Sequence, residues 1–205
     1  MGVSRVFPLE LSEGKSTQQA VELLQKRAEL LGATKTCNWC VDCETYQATS
    51  LHTSSSKVLH LVHSTEHPYS SFVVLESGTC LVAQTGFDSL MVRLKAFYTQ
   101  RKAAKIEVKG PSYEYGDFIL KIGQISLGPS VKGVLIEVEY LPCEDVEQCW
   151  GLISEFIASF LGTAFTLPSM PKTSNKETGL FTVTDNILQY IDVFKVTGGY
   201  RKSQS

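Results

Sequence analysis

The chain has 205 residues and a formal net charge of −2, with 19 lysines and arginines against 21 aspartates and glutamates. This balance argues against a protein that grips nucleic acid mainly through phosphate contacts, which needs a concentrated basic face, and against a polybasic membrane anchor. The length suits one large domain or two small ones, and we expect a single domain over residues 1–205.

The N-terminal sequence predicts an intracellular protein. MGVSRVFPLELSEGK has no long apolar stretch before a cleavage site, which argues against a secretory signal. Met1-Gly2 begins a myristoylation pattern, but Val6 stands where that pattern requires Ser or Thr. The longest apolar run, around residues 152–161, is interrupted by polar residues and is too short to cross a bilayer. Intracellular cysteines are usually reduced, so we expect free thiols.

The first predicted element is a helix. Ser16 and Gln19 form a capping box at its start, and Gly32 is a good C-terminal stop. Apolar residues recur between them at helical spacing: Val21, Leu24, Ala28 and Leu31.

The segment CNWCVDCE, residues 37–44, spaces three cysteines in the manner of a zinc site. Its period of two is that of a half-buried strand, with Cys37 and Cys43 on one face and Cys40 on the other. Cys37 and Cys43 would then lie ~20 Å apart along an extended chain, so the three thiols could not converge on one ion. We therefore predict two buried thiols and one on the opposite face, and no metal site.

The middle of the chain predicts strands joined by turns, after a polar, serine-rich loop at 48–57. The candidate strands cover residues 57–63, 71–76, 80–84, 105–109, 113–127 and 132–141. Residues 76–79 and 128–130 have turn sequences, and we expect a bulge at Gly116 or Gly123 in the longest strand. A helix from about Asp88 to Tyr98, capped by Asp88, separates the two groups of strands.

The C-terminal part predicts two helices. The first, residues 144–161, has the widest apolar stripe and should be largely buried, and Gly162 ends it. Residues 163–180 contain two prolines and a polar run, which predict a surface loop. Asp185 is expected to cap the last helix, and a flexible tail should begin at about residue 197.

These elements predict an α+β fold. No strand–helix–strand alternation repeats, so the sheet should be mostly antiparallel. A sheet of seven or eight strands without good edges tends to close. We therefore expect a closed antiparallel β-barrel of about eight strands with flanking helices.

One carboxylate pattern suggests chemistry, although the chain has no P-loop, dinucleotide fingerprint or Gly-x-Ser-x-Gly motif. Glu137 and Glu139 share a strand face, and Glu107 stands between Lys105 and Lys109. Tunnel-shaped triphosphate hydrolases hold divalent metal with carboxylates and phosphates with cationic side chains. Solvated strand faces explain the pattern better, because residues 102–200 include no arginine. His60 and His63 should face opposite sides of a strand and be partly exposed.

The order of several segments resembles the family of Mediator subunit 20, a component of the head module of that complex. The matching segments are GKSTQQAVELL (14–24), CVDCETY (40–46), FDSLMVRLKAF (87–97), IEVEY-x-PC (136–143) and CWGLISEFIASFLG (149–162). The likeness covers roughly residues 12–162 and, weakly, the last helix.

The resemblance implies a helix-decorated barrel related to that of Mediator subunit 18, with which the family pairs barrel to barrel. It implies that the C-terminal helix of subunit 8 tethers this pair to the remainder of the head. The family is a nuclear coactivator that relays regulatory signals to RNA polymerase II, an indirect partner, without direct nucleic-acid or membrane binding. The resemblance also implies that the protein has no enzyme activity, no catalytic residues, no cofactor, and no metal at CVDCETY.

The sequence leaves two alternative functions open. One is a metal-dependent tunnel-type triphosphate hydrolase that uses Glu137 and Glu139. The other is a small zinc-dependent binding module built on Cys37, Cys40 and Cys43.

Overall fold

The computed structural model describes residues 2–10, 16–49, 58–101, 105–162, 165–174 and 178–197. In these ranges the strands are β1 (Val3–Leu9), β2 (Thr34–Ala48), β3 (Val58–Ser64), β4 (Ser70–Leu75), β5 (Cys80–Gln84), β6 (Tyr98–Gln100), β7 (Ile106–Tyr115), β8 (Phe118–Leu127) and β9 (Ser130–Tyr140). The helices are α1 (Thr17–Leu30), α2 (Phe87–Arg93), α3 (Val146–Leu161) and α4 (Val183–Thr197).

All nine of these strands join one antiparallel sheet. Its order is β1-β9-β8-β7-β2-β3-β4-β5, and the short β6 also pairs with β2. The predicted α+β class and antiparallel pairing are confirmed. Closure of the barrel is not confirmed, because β1 and β5 end the hydrogen-bonded path among the described strands and do not pair with each other.

The sheet curls around α4, which contacts both edge strands, β1 and β5. On this concave face α4 packs against apolar side chains from most of the sheet: Val6, Trp39, Val41, Cys43, Val62, Phe72, Val74, Ile106, Val108, Ile125 and Leu135. On the convex face α1 and α3 cover a second core with β1, β8 and β9, and Met91 of α2 packs against β3 and β4. Burial on both faces is what makes the central strands so apolar.

The capping box that begins α1 is confirmed. Ser16 Oγ accepts a hydrogen bond from the Gln19 backbone N–H at 3.2 Å, and Gln19 Oε1 accepts one from the Ser16 N–H at 3.1 Å. The predicted strand over 113–127 is wrong, because the chain turns at Gly116, whose φ is +56°, and forms two paired strands. Gly123 marks no bulge; a Cβ there would lie 2.9 Å from the Trp39 ring, so glycine leaves room for the indole.

The predicted Asp88 cap is wrong, whereas Asp185 caps α4 as predicted, although it does so from inside the first turn. α2 ends at Arg93 rather than near Tyr98, and its start has no side-chain cap, while Asp88 lies 3.1 Å from His63 Nε2. Asp185 lies inside the first turn of α4 and accepts hydrogen bonds from the backbone N–H groups of Thr182 at 2.9 Å and Ser174 at 2.6 Å. Asp185 therefore ties Ser174 of the predicted 163–180 loop to the start of α4.

Some predicted segments fall outside the described residues: the serine-rich loop from 50 to 57, residues 163–164 and 175–177 of the later loop, and the tail from 198 onward. None of the helices in the described ranges combines the length and apolar character needed to cross a bilayer.

The free edge of β1 is covered by a side chain of α4. Gln189 Oε1 accepts a hydrogen bond from the Val6 N–H at 3.0 Å, and Gln189 Nε2 donates to the Ser4 carbonyl at 3.0 Å. A peptide group of a neighbouring strand would make the same two bonds, so one side-chain amide replaces a strand partner there.

Candidate functional site

The polar interior of the curled sheet is the first candidate site. β9 directs Glu137 and Glu139 to the concave face, which confirms that the two carboxylates share a face. Their predicted solvation is wrong, because Glu137 is 0% exposed and Glu139 is 9% exposed. The triphosphatase alternative also requires these carboxylates to face inward. Whether they could bind a metal ion therefore depends on the groups around them.

Both carboxylate oxygens of Glu137 accept hydrogen bonds from other side chains. Lys121 Nζ lies 3.2 Å from Oε2, and Asn186 Nδ2 donates to Oε1 at 2.6 Å. The Tyr190 hydroxyl also donates to Oε2. Burial and the nearby Glu137 charge raise the pKa of Tyr190 well above its ordinary value, so the phenol keeps its proton and remains a donor. Two of these partners come from α4, which occupies the space that a hydrated tunnel would need.

Lys121 on β8 is the cation of this interior. Its ammonium group also donates to Glu66 Oε2 at 2.7 Å, in the turn between β3 and β4. Burial alone would lower the pKa of Lys121, but Glu137 and Glu66 raise it above its ordinary value, so the lysine stays charged. Both carboxylates neutralise it, which leaves little positive charge to hold a phosphate.

The lysines that the sequence singled out lie on the other face. Lys105 pairs with Asp42 at 2.9 Å, and Lys109 pairs with Glu107 at 2.9 Å. Neither ammonium group faces the Glu137–Glu139 pair, because the side chains of Ile106 and Val108 point inward on the same strand.

Glu139 lies at the edge of this polar interior, and its Oε1 accepts a hydrogen bond from the Gly2 N–H at 2.9 Å. Burial and the Glu137 charge raise the pKa of Glu139. A cavity of about 190 Å³ adjoins it. That is below the roughly 300 Å³ at which small-molecule sites usually begin. The cavity is lined by Val41, Ser64, Glu66, His67, Lys121, Glu139, Val183, Asn186, Ile187 and Tyr190.

This arrangement links several elements of the fold through buried polar side chains. In the part of the chain that the structure describes, no group of three or more His, Cys, Asp or Glu side chains could hold a metal ion. Glu137 instead accepts hydrogen bonds from Lys121, Asn186 and Tyr190, and Glu139 accepts one from the Gly2 N–H. The network links β8, β9 and α4, and Asn186 Nδ2 extends it to Ser4 Oγ on β1 at 2.6 Å.

The three spaced cysteines do not come together. Cys43 is buried and Cys40 is half-buried on the opposite face, as the strand alternation predicts. Cys37 is exposed, so the prediction of its burial is wrong, because the first five residues of β2 extend beyond the part of the strand that pairs with β3 and are all exposed. Burial raises the pKa of the Cys43 thiol to about 12, so Cys43 is an inert core residue.

The two histidines of β3 face opposite sides, as predicted. His60 Nδ1 lies 3.0 Å from Thr45 Oγ1 and the ring is buried, so its predicted partial exposure is wrong; burial lowers the pKa of His60 to about 4. His63 is half-buried on the convex side, and its Nδ1 lies 3.3 Å from Asp42 Oδ1. The hydrogen bond to Asp42 raises the pKa of His63 against the opposing effect of burial, and Asp88 adds to the rise.

Sequence reasoning missed four members of the interior network: Glu66, Lys121, Asn186 and Tyr190. One signal was available for Lys121, because a lysine within the apolar alternation of a strand (FILKIGQISL) is rarely buried without a carboxylate partner. Period-two alternation cannot show which strand supplies that partner, and it says nothing about Asn186 and Tyr190 on α4.

Comparisons with known proteins agree over nearly the whole chain. Residues 1–195 match the family described as the TATA-binding related factor (TRF) of subunit 20 of the Mediator complex. A Mediator subunit 20 from Homo sapiens is 43% identical over 199 residues, which cover 95% of this chain and 93% of that protein. A subunit 20 from Aedes aegypti is 38% identical, covering 98% of this chain and 95% of that protein.

Similarity to solved structures is much weaker. The PH1012 protein of Pyrococcus horikoshii OT3 is 13% identical, with a TM-score of 0.45, and the match covers 78% of this chain and 90% of that one. At that score the likeness bears on neither the chemistry nor the partners of this chain.

Proposed function

The chain belongs to the subunit 20 family of the Mediator complex, and from that membership we propose that it is a non-catalytic subunit of the Mediator head module. It acts as a coactivator in the nucleus, where it relays regulatory signals to RNA polymerase II through protein–protein contacts. The single observation that carries the proposal is the family match, which extends over nearly the full length of this chain and of its relatives.

The proposed partners are other Mediator subunits. This chain pairs barrel to barrel with subunit 18, whose barrel is related to the fold seen here, and the C-terminal helix of subunit 8 tethers the pair to the remainder of the head. Its contact with RNA polymerase II is indirect, and it binds neither nucleic acid nor membrane directly. The near-neutral charge is in keeping with protein partners. In this proposal residues 1–205 act as one domain.

The interior geometry supports a non-catalytic role. Glu137, the carboxylate that a tunnel-type hydrolase would need free for metal, is fully buried and bonded by Lys121, Asn186 and Tyr190. Metal binding there would require α4 to leave the concave face and expose the apolar core beneath it.

Co-purification tests the proposal. The tagged chain is expressed with and without Mediator subunits 18 and 8 from the same source and run on size exclusion. We expect one stoichiometric complex with both subunits. A chain that elutes as a clean monomer whether or not both partners are present would contradict the proposal.

The triphosphatase alternative has its own assay. Phosphate release from inorganic triphosphate is measured with manganese present, for the natural chain and for Glu137→Ala. We expect no release above the protein-free control from either. Manganese-dependent release that Glu137→Ala abolishes would establish a catalytic interior and refute the non-catalytic role.

A further inference from the structure

Among the described strands, none pairs with the outer edge of β5, the last strand of the sheet. Leu75 N–H donates to the Thr79 carbonyl at 2.9 Å, which fixes Leu75 and Thr79 as a hydrogen-bonded pair. Bonded and non-bonded pairs alternate along antiparallel strands, and Val74 is opposite Cys80. The next bonded residues of β5 are therefore Leu81 and Ala83.

It follows that Cys80, Val82 and Gln84 direct their N–H and C=O groups away from β4. Among the described residues β5 pairs with β4 alone, and no other strand lies along its outer edge. The three outward residues therefore offer alternating donors and acceptors at the spacing of a strand.

The side chains of this edge are also apolar and uncovered. Leu81 is 50% exposed and Val82 is 60% exposed, although they point to opposite faces of the sheet. Val82 lies opposite Phe72 and so points toward the concave face, yet α4 leaves more than half of it accessible. An added strand would bury Leu81 on one face and Val82 on the other.

In the part of the chain that the structure describes, β5 lacks most of the features that keep a strand edge from pairing. Natural edge strands carry charges, proline or a bulge, or are covered by another element. The sequence CLVAQ has no charge, no proline and no glycine, and its pairing with β4 is regular. The opposite edge of the same sheet is covered by Gln189.

We propose that the outer edge of β5 is a docking site for an extended segment of a partner subunit, which adds a strand to this sheet. The segment is uncharged at its centre and apolar on both faces, so that it meets Leu81 and Val82, while its backbone bonds to Cys80, Val82 and Gln84. This inference rests on the proposed function, since the partner is another subunit of the same assembly. Main-chain hydrogen bonds of this kind supply affinity, and side-chain contacts supply specificity.

Hydrogen exchange of the isolated chain and of its complex with subunits 18 and 8 tests the docking site. We expect the backbone amides of Cys80, Val82 and Gln84 to exchange freely in the isolated chain and to slow at least about tenfold in the complex. The amides of Leu81 and Ala83 serve as internal controls, because they already bond to β4 in both states.

The possible failures are distinguishable. If no complex forms, the proposed function and the docking site are both refuted. If a complex forms and the three amides still exchange freely, the docking site alone is refuted. Protection in the isolated chain would also overturn it: protection that grows with concentration assigns the edge to a second copy, and protection independent of concentration assigns it to a segment of the same chain.

A substitution separates the backbone contact from the side-chain contact. Val82→Pro removes the outward N–H without breaking a bond to β4, whereas Val82→Ala removes side-chain volume and keeps that N–H. We expect Val82→Pro to weaken the complex at least about tenfold more than Val82→Ala does. Equal affinities of the two variants would contradict strand addition, and a thermal melt of each isolated variant checks that it folds. The exchange experiment on the natural chain remains decisive if Val82→Pro does not fold.

Discussion

The two edge strands of the sheet, β1 and β5, differ in how far α4 covers their outer edges. At β1, Gln189 of α4 bonds the Val6 N–H and the Ser4 carbonyl, and Asn186 bonds the Ser4 hydroxyl. At β5, α4 makes contact but leaves Val82 60% exposed, and none of the described strands pairs with the outward backbone groups. One edge is therefore closed within the protein, and the other is the edge at which we propose that a partner strand docks.

The largest expected effect comes from breaking the ionic network that connects β8 and β9 to α4. Lys121→Met leaves Glu137 buried without its cation. Removing one partner of a buried ion pair typically costs about 3–5 kcal/mol, because the remaining charge is uncompensated. We expect a loss of that size in the free energy of unfolding, measured by urea denaturation.

Lys109→Met is the matched control. It removes a lysine from the neighbouring strand β7, where the ammonium group pairs with Glu107 in contact with solvent. We expect little change, since exposed ion pairs contribute little to stability. Equal losses in the two variants would mean that the interior network does not hold α4 in place.

The second prediction removes the cover of the β1 edge. Gln189→Met keeps much of the side-chain volume but leaves the Val6 N–H and the Ser4 carbonyl without partners. Leaving two buried backbone groups unbonded should lower the free energy of unfolding by about 2–3 kcal/mol. Gln18→Met, on the exposed side of α1, controls for the substitution itself. A Gln189 variant as stable as the Gln18 variant would show that β1 needs no cover.

A smaller effect on stability is expected at His63 of β3, which lies between Asp42 of β2 and Asp88 of α2. The folded state raises the pKa of His63 above its ordinary 6.5. The stabilisation is therefore complete below pH 6.5 and is lost as the pH rises through the raised pKa. Because the site is partly solvated, we expect less than about 1 kcal/mol.

Urea denaturation from pH 6 to pH 9 measures this dependence. His63→Gln should flatten the fall in the free energy of unfolding over that range. An unchanged slope in His63→Gln would exclude the contacts of His63 with Asp42 and Asp88 as its source.

The smallest effect is expected at the β5 edge itself. Val82→Lys in the isolated chain should change the free energy of unfolding by no more than about 0.5 kcal/mol, because substitutions at exposed positions away from packing features are nearly neutral. Thermal and urea denaturation of the isolated variant measure it. A loss above 1 kcal/mol would mean that Val82 packs within the subunit, and the contrast between the two edges would then be wrong.

Local sequence patterns predicted much of the fold. The capping box of Ser16 and Gln19, the apolar stripe of α3 and the alternation in β9 are determined by neighbours within a few residues, so the elements could be assigned. Gly116 was the ambiguous case: a glycine within an apolar run fits a bulge or a turn, and only the pairing of β7 with β8 distinguishes them.

The N-terminal strand β1 was not predicted. VSRVFPL contains an arginine and a proline, which weaken a strand assignment. Proline is tolerated there because β1 is an edge strand, and Gln189, 183 residues further along the chain than Val6, covers its outer edge.

The interior site could be predicted only in part. Alternation placed Glu137 and Glu139 together, but burial depends on what covers the strand, and that element is α4 near the end of the chain. Composition suggested solvated carboxylates because no arginine was available, yet a single lysine, Lys121, compensates Glu137 when Asn186 and Tyr190 supply the remaining bonds. Contacts at this sequence separation leave no local pattern.

Hydrogen exchange at Val6 and Val82 in the isolated chain tests the contrast between the edges most directly. Each amide belongs to an edge strand and points away from its one paired neighbour. We predict that the Val6 amide, bonded to Gln189, exchanges at least about a hundredfold more slowly than the Val82 amide. Similar rates would contradict the account, because they would mean that both edges are covered or that both are open.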